Sequence, residues 1–358
     1  MKTPARWMLA AAVALAVLAW WQRGPIAVAL VARQVEALTA TADPLAALPD
    51  GLHVGLCGAG SPFPDELRSG PCTVVVAGRR MFVFDSGSGS ARNLARMRLN
   101  AGQIDALFLT HFHSDHIDGL GELMLQRWIQ RRADAPLPVH GPAGVERVLA
   151  GFTEAYAIDR GYRVAHHGEG VAPPAGFGGV AQPFELPADS GRLVLLQDGE
   201  LEIVAFAVDH APVKPAVGYR IRYKDRTVVL SGDTRKTPSV AREAQGADLL
   251  VHEALSPLLL SMLEQGFSKA GRQPLAKIMQ DVLDYHTTPE EAAETARDAG
   301  VKALVLNHIV PPLPTSALNP AFLQRAGQIY TGPLHIGTDG DWISLLAGST
   351  AVHIGHRP

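Results

Sequence analysis

The chain has 358 residues, of which 47% are hydrophobic, so it carries enough apolar side chains for a large buried core. Lys and Arg total 32 against 35 Asp and Glu, so the formal net charge is −3 and no basic excess indicates a nucleic-acid partner. The 35 glycines and 26 prolines are spread along the chain, which favours a globular fold with many turns over a low-complexity linker.

The first apolar segment lies at the N-terminus. Residues 7–21 carry no charge, follow Arg6, precede Arg23 and end in a tryptophan pair typical of a membrane edge. The run is short for a membrane span of roughly 17–25 residues, although a helix could continue into residues 25–32. No clear cleavage site follows, so we expect residues 1–32 to be a signal anchor rather than a cleaved signal peptide. The alternative is a hydrophobic helix packed on the domain.

Either export signal predicts a periplasmic or other extracytoplasmic location, with the anchor holding the protein to the inner membrane. After the anchor we expect a linker over residues 33–50, one folded domain over residues 51–347 and a C-terminal tail over residues 348–358. No internal repeat divides this domain.

Two cysteines, Cys57 and Cys72, flank a turn rich in glycine and proline. In an oxidising compartment they could form a disulfide, and closing a loop of this size contributes about 3 kcal/mol. The alternative is a pair of small buried apolar residues. No Cys-x-x-Cys pair is present, so neither cysteine is expected to be a nucleophile or a metal ligand.

Past the linker, short apolar runs alternate with stretches of helical spacing such as ARNLARMRL and PEEAAETARDAG. Polar residues repeatedly follow the last apolar residue of a strand, and strand ends at one rim are where α/β sites are assembled. The mixed pattern predicts β-sheets covered by helices. The predicted strands are residues 52–57, 72–77 and 81–85 and the runs ALFLT, LEIVAFAV, GYRIRY, TVVLSGD, DLLVHE and ALVLNH.

The densest polar motif is HFHSDH at residues 111–116. Imidazole and carboxylate are ligands that borderline divalent ions such as zinc accept. On an extended or turning segment His111 and His113 point the same way, so they can share one ion while Asp115 and His116 reach another. Two metal ions fit this motif better than one. The alternative is a solvated histidine-rich loop.

Three later residues supply further ligands, and each ends an apolar strand. His210 completes the first ion beside His111 and His113, and His308 completes the second beside Asp115 and His116. Asp233 can bridge both ions because a carboxylate has two oxygens. Asp85, at the end of MFVFD, is expected to orient a ligand rather than to bind metal. Taken singly, each of the three could equally be an ordinary loop residue.

In this order, Asp85, HFHSDH, His210, Asp233 and His308 resemble the metallo-β-lactamase superfamily over roughly residues 50–347. The resemblance implies an α/β fold, a four-layer αββα sandwich of two mixed sheets between outer helices, preceded here by the N-terminal hydrophobic helix. It also implies two divalent ions at one edge, Zn²⁺ first with Mn²⁺ or Fe²⁺ as alternatives, and hydrolysis by a metal-bound hydroxide.

Other motifs separate the branches of that superfamily. GLCGAGSP, DHAPVKPAVGYRIRY, LSGDTR, YHTTPEEAA and LNHIVP look most like the arylsulfatase-like branch, which is itself similar to ribonuclease Z. His210 and Asp233 are only 23 positions apart, which leaves no room for the protruding arm with which such nucleases hold tRNA.

We therefore expect a dinuclear zinc hydrolase acting on a small anionic ester, in the manner of an arylsulfatase or a phosphodiesterase. A nucleic-acid partner is not expected, and a homodimer is compatible with the sequence. The alternatives are a ribonuclease Z-type endoribonuclease that processes tRNA 3′ ends, a lactonase on the same scaffold, and a noncatalytic metal-binding protein, which the full ligand set disfavours.

The resemblance also implies a proton donor. His286, in YHTTPEE, is expected to protonate the leaving group, with Asp115 as the second catalytic residue. The alternative for His286 is a structural place before a helix capped by Thr287 or Thr288. Lys214 is expected either to bind the substrate's anionic group or to be a solvated loop residue. His252 and Glu253 are expected either to support the metal ligands or to be structural.

Overall fold

The computed structural model describes residues 4–39, 43–131 and 135–357, and it divides the chain into two units, Met1–Ala47 and Leu48–Pro358. The first unit holds helices α1 (Pro4–Trp21) and α2 (Arg23–Thr39). Within the described residues no single helix is both long and apolar enough to cross a membrane. These two helices reach that length and hydropathy only together, and they are bent by 62° at their junction.

The second unit contains two β-sheets, and the first is mixed. Strands β3 to β6 are parallel to one another, whereas β15, β14, β1, β2 and β3 pair antiparallel in succession. The spatial order is β15-β14-β1-β2-β3-β4-β5-β6. The strands are β1 (Gly51–Gly58), β2 (Cys72–Ala77), β3 (Arg80–Phe84), β4 (Ile104–Phe108), β5 (Leu137–Pro142), β6 (Gly179–Phe184), β14 (Asp341–Leu346) and β15 (His353–His356).

The second sheet is also mixed, with seven strands in the order β13-β12-β11-β10-β9-β8-β7. Strands β10 to β13 are parallel and β7 to β10 are antiparallel, so β8, β10, β11 and β12 all run in the same direction. The strands are β7 (Arg192–Asp198), β8 (Leu201–Ala207), β9 (Val217–Tyr223), β10 (Arg226–Leu230), β11 (Leu249–Leu255), β12 (Leu304–Val310) and β13 (Leu334–Ile336).

Helices connect the strands and cover the sheets. The start of α11 is fixed by local side chains: Thr288 caps the helix, Pro289 occupies the first turn and Glu291 completes a reciprocal capping box. The helices are α3 (Ser90–Arg96), α4 (Ser114–Ile117), α5 (Leu120–Arg131), α6 (Val145–Ala155), α7 (Ala157–His167), α8 (Pro238–Glu243), α9 (Pro257–Lys269), α10 (Gln273–Asp281), α11 (Pro289–Ala299), α12 (Asn319–Leu323) and α13 (Ala326–Ile329).

The main core lies between the two sheets, where Val54, Phe82 and Phe108 of the first sheet meet Tyr219 and Val251 of the second. A second core joins the outer face of the second sheet to α8, α11 and α13. Burial of these apolar faces on both sides of a sheet is the main favourable term in folding. The predicted α/β metallo-β-lactamase sandwich is confirmed.

The predicted linker and the predicted C-terminal tail both contain regular secondary structure. Residues 33–39 of the predicted linker continue α2, while residues 40–42 lie outside the described residues. The predicted tail contains β15, which pairs with β14 at the edge of the first sheet. All four β15 residues are exposed, so the strand shows no hydrophobic alternation from which the sequence could reveal it. The domain limits remain predictions.

A disulfide joins Cys57 at the end of β1 to Cys72 at the start of β2, with their Cα atoms 4.9 Å apart. Both side chains are buried, at 0% and 1% exposure. The bond therefore closes the loop between the first two strands, and this loop carries residues 59–71 toward the rim of the sandwich.

We expect the double variant Cys57→Ser, Cys72→Ser to fold with a free energy of unfolding lower by about 3 kcal/mol, because the unfolded chain regains the freedom of a 15-residue loop. Urea denaturation followed by circular dichroism measures the difference. A variant whose midpoint matches that of the oxidised parent would contradict this expectation.

Candidate metal centre

Polar side chains from both sheets meet at one rim of the sandwich. In the second sheet β8, β10 and β12 run in one direction, and they bring His210, Asp233 and His308 to the same edge. Tyr219 links the sheets there, because its hydroxyl donates a 2.6 Å hydrogen bond to the carbonyl oxygen of Leu109, just after β4. The residues that follow β4 therefore lie opposite His210 and Asp233, which follow β8 and β10, and opposite His308, which lies within β12 at an irregularity in its pairing with β11 rather than at the end of the strand.

Two glycines allow the backbone to approach closely at this rim. Gly232, with φ +61°, precedes Asp233, and a Cβ there would lie 2.5 Å from the carbonyl oxygen of Val217. Gly119 ends the turn after HFHSDH, and a Cβ there would lie 2.2 Å from the carbonyl oxygen of Gly87. A side chain at either position would displace the backbone that carries the polar cluster.

The first ligand group contains His111, His113, His210 and Asp233, whose ligand atoms lie within 4.8 Å of one another. His111 Nε2 is 2.9 Å from His113 Nδ1, and His210 Nε2 is 3.4 Å from the same atom. His210 Nδ1 donates a 3.0 Å hydrogen bond to the carbonyl oxygen of Tyr285. Because that nitrogen carries the proton of the neutral ring, His210 Nε2 presents a lone pair to the group.

The second group contains Asp115, His116 and His308. His116 and Asp115 lie on the short helix α4, and His308 Nε2 is 3.3 Å from Asp115 Oδ2. His116 Nε2 is buried without a hydrogen-bond partner of good geometry. Carboxylate oxygens of Asp115 and Asp233 lie 3.6 and 3.3 Å from it.

Asp233 joins the two groups. Its Oδ2 lies 3.3 Å from Nε2 of both His116 and His308, and 3.9 Å from Nε2 of both His111 and His210. One oxygen therefore lies among four imidazole nitrogens from the two groups. The separation of these atoms fits a carboxylate shared between two cations.

Asp85 supports this arrangement from behind. It accepts hydrogen bonds from the backbone and side chain of Thr110, and its Oδ2 lies 2.8 Å from His116 Nδ1. A carboxylate at Nδ1 keeps the proton there and turns Nε2 toward the cluster. Asp85 and His308 both have a left-handed backbone, with φ 58° and 48°, a conformation that costs a non-glycine residue about 1–3 kcal/mol.

Sequence reasoning missed Thr110. Its hydroxyl is buried and lies 3.0 Å from His111 Nδ1 as well as within hydrogen-bond distance of Asp85. It therefore connects His111 of the first group to Asp85, which lies behind His116 of the second group. The one signal was its place in FLTH, directly before the first histidine.

Glu253 lies beside the cluster, whereas its neighbour His252 does not. Glu253 Oε1 accepts hydrogen bonds from the backbone N–H groups of Thr234 and Thr287 and lies 3.0 Å from His286 Nδ1. His252 is buried, and its Nδ1 hydrogen-bonds to the backbone carbonyl of Glu253. Successive residues of a strand point to opposite faces, so only one of the two can face the rim.

Lys214 is also outside the cluster. It lies exposed in the loop after His210 and does not line the cavity beside the ligand groups. His286 is close, because its ring centroid lies 5.2 Å from that of His210 and 5.4 Å from that of His308. Together with Asp233 and His308 it forms a third group of potential ligands.

The charges of the cluster fit cations rather than an empty polar core. Burial lowers the pKa of His210 to about 4 and lowers the pKa of His111 well below its usual range, so both rings are neutral and able to bind metal. Burial also opposes ionisation of Asp233, but His308 and His116 outweigh it and hold the pKa of Asp233 well below its usual range. Converging lone pairs around a buried carboxylate suit divalent metal ions.

The chain is similar to known proteins in both sequence and structure. A family model described as beta-lactamase superfamily domain matches residues 80–309. Ribonuclease Z of Mycolicibacterium gilvum is 39% identical over 264 residues, which is 73% of this chain and 85% of the relative. Ribonuclease Z of Mycobacterium sp. strain KMS is 36% identical over 289 residues, which is 80% of this chain and 94% of the relative.

Solved structures show the same fold. Human tRNase Z, short form, superposes with a TM-score of 0.56 at 21% identity, covering 82% of this chain and 98% of its own. The metallo-beta-lactamase fold protein YhfI from Bacillus subtilis also has a TM-score of 0.56, at 20% identity, covering 82% of this chain and 99% of its own.

These comparisons correct three expectations. A small anionic ester as substrate and the absence of a nucleic-acid partner are wrong, because the relatives matched by sequence are named ribonuclease Z. The periplasmic, membrane-anchored location is wrong on the same comparison, and we assign no location in its place. Net charge misled because it averages over the whole chain, whereas recognition depends on a few residues near the site.

We expect purified wild-type protein to bind two divalent ions per chain, and His113→Ala and Asp233→Asn to lower that number. Each variant removes a ligand atom from the cluster described above. Elemental analysis of dialysed protein gives the metal content. His335→Ala is the matched control, since His335 pairs with Asp341 outside the cluster. Full metal in both cluster variants would show that the ions bind elsewhere.

A second expectation concerns acid stability without metal. Burial lowers the pKa of His252 from its usual 6.5 to about 4, so the unfolded chain takes up this proton first as pH falls. The free energy of unfolding should therefore fall by about 2 kcal/mol between pH 7 and pH 5 through this one residue. His252→Gln should remove that part of the pH dependence in urea titrations of chelated protein. An unchanged slope would mean that His252 is already protonated in the fold.

Proposed function

Because this chain belongs to the metallo-β-lactamase superfamily, in its ribonuclease Z-like branch, we propose that it is an endoribonuclease that processes the 3′ end of precursor tRNA. The chain is a metal-dependent hydrolase that acts on ester bonds. The observation that carries the proposal is the alignment at 36% identity with a ribonuclease Z over 94% of that protein's length.

The described residues fit two divalent ions, and we propose zinc, because histidine nitrogens and carboxylate oxygens are its usual ligands outside cysteine sites. When bound, such ions supply positive charge beside a phosphodiester and lower the pKa of a water molecule. The proposed ligands are His111, His113 and His210 for one ion, Asp115, His116 and His308 for the other, and Asp233 for both.

The protein's own part begins with orientation. Asp85 holds His116 through Nδ1, and Thr110 connects Asp85 to His111, so two ligands are fixed by one buried hydrogen-bond network. Asp115 is proposed to act in catalysis as well as in binding, since it lines the open cavity beside the cluster. A fixed ligand set needs little rearrangement when charge develops on the phosphate.

His286 is proposed as the proton donor to the leaving oxygen. Its Nδ1 lies 3.0 Å from Glu253 Oε1, so the ring is held by a carboxylate and Nε2 is the atom available to hold or transfer a proton. Glu253 is fixed in turn by the backbone N–H groups of Thr234 and Thr287. His286 also lines the cavity into which a substrate would enter.

We expect metal-loaded wild-type protein to cleave a precursor tRNA that carries a 3′ trailer, and Asp233→Asn to abolish cleavage. Denaturing gels of an end-labelled precursor report the products. His335→Ala serves as the control, because its contacts lie outside the cluster. If the metal-loaded wild type leaves the precursor intact, the proposed function is wrong.

His286→Ala separates proton transfer from metal binding. We expect this variant to keep its full metal content and to lose about 10²–10⁴-fold in kcat, the usual contribution of a positioned general acid. The loss should be smallest for substrates whose leaving group needs no proton, such as a p-nitrophenyl phosphodiester. A variant that loses metal would instead make His286 a ligand, as its place near Asp233 and His308 allows.

A further inference from the structure

A cavity of about 370 Å³ opens directly beside the metal cluster. His113, Asp115, Asp233, His286 and His308 form one end of it. Its volume falls within the roughly 300–1,000 Å³ of pockets that hold small ligands or parts of larger ones. The group that enters this cavity is therefore attached to the substrate very near the bond that is cleaved.

The remaining wall of the cavity is mostly apolar, and Ser114 and Tyr285 are its residues with hydroxyl groups. Helix α10 contributes Leu275, Ile278 and Met279, the turn after it contributes Val282, and the loop closed by the disulfide contributes Phe63. Behind this wall, α9 and α10 pack with Val310 into a small hydrophobic core of their own. The side chains of the wall are therefore held in place by packing. Leu275 and Ile278 stay 37% and 46% exposed at its rim.

The residues that line the cavity indicate which part of an RNA it can bind. None of the described residues that line the cavity is a lysine or an arginine, so away from the metal cluster it offers no cation for a second phosphate. A ribose has no flat apolar face to pack on this aliphatic wall, although Ser114 and Tyr285 carry hydroxyl groups there. A base is flat, and its faces are apolar enough to stack on side chains.

We propose that this cavity binds an unpaired nucleobase of the nucleotide next to the scissile phosphodiester. The inference rests on the proposed ribonuclease function and adds the part of the RNA that the pocket recognises. Aliphatic side chains from α10 and the rings of Phe63 and Tyr285 supply the contact surface.

Such a pocket would also position the RNA relative to the metal cluster. Residues 207–233 are all described, and they form a short loop and the β9–β10 hairpin rather than a protruding arm. This segment therefore offers no protruding arm that could hold tRNA. A base bound beside His286 and His308 would place the adjoining phosphodiester over the cluster, because a base and its phosphate are joined through a single ribose.

The test uses metal-loaded full-length protein and three precursor tRNAs with single-stranded 3′ trailers. One precursor is intact, and the other two lack the base on one side or the other of the scissile bond. We expect wild-type kcat/KM to fall about tenfold or more for one of the abasic precursors, the effect expected when one stacked base is lost.

Variants at the pocket rim make the test specific. Ile278→Ser should lower kcat/KM on the intact precursor to a similar extent, mainly through KM, and should add little on the sensitive abasic precursor. Ile278→Leu should restore the wild-type value. Met262→Ser is the matched control, since Met262 is 63% exposed on α9 and does not line the cavity.

The outcomes separate this inference from the proposed function. Cleavage of the intact precursor together with equal kcat/KM on all three precursors would overturn the base pocket alone. Equal losses from Ile278→Ser on intact and abasic precursors would also overturn it, because that result indicates a structural role for the wall. Failure of wild-type protein to cleave the intact precursor would overturn both proposals.

Discussion

One oxygen atom sets the constraint on which the rest of the structure depends. Asp233 Oδ2 lies 3.3–3.9 Å from Nε2 of four histidines, and all of these side chains are buried. Burying such a cluster costs free energy unless cations lie among its nitrogen and oxygen atoms. Without metal, the carboxylates of Asp233 and Asp85 overcome the effect of burial and raise the pKa of His116 well above its usual range, so a proton supplies part of that charge. Metal binding would release that proton, which makes metal affinity dependent on pH.

The two-sheet sandwich meets this constraint by bringing strand ends together. The second sheet supplies His210, Asp233 and His308 from three parallel strands, and the first supplies HFHSDH just after β4. The cost is visible in the left-handed backbone at Asp85 and His308. The extensive core between the sheets compensates for it, because strain at a few residues is small beside the apolar area that the sheets bury.

Beside this rim the structure offers apolar contacts to RNA in addition to electrostatic ones. The ligand cluster would neutralise one phosphate, while the adjoining cavity offers aliphatic and aromatic side chains from α10 and from the loop that the Cys57–Cys72 disulfide closes. A chain with net charge −3 and no protruding arm can still bind RNA if shape and stacking at the site supply part of the affinity. The overall charge of the protein therefore says little about its substrate.

The sequence by itself determined the fold class and the cluster, because HFHSDH and the polar residues that end LEIVAFAV, TVVLSGD and ALVLNH are local patterns with a chemical meaning. It also indicated the cap of α11. Only the tertiary structure decided that Glu253 rather than His252 faces the rim, that Thr110 links His111 to Asp85, and that α10, packed on α9, forms an apolar wall. These features depend on which face of an element meets another element far away in the chain. A pattern of neighbouring residues records what each element can bury, but the packing of the two sheets decides what each buried group meets.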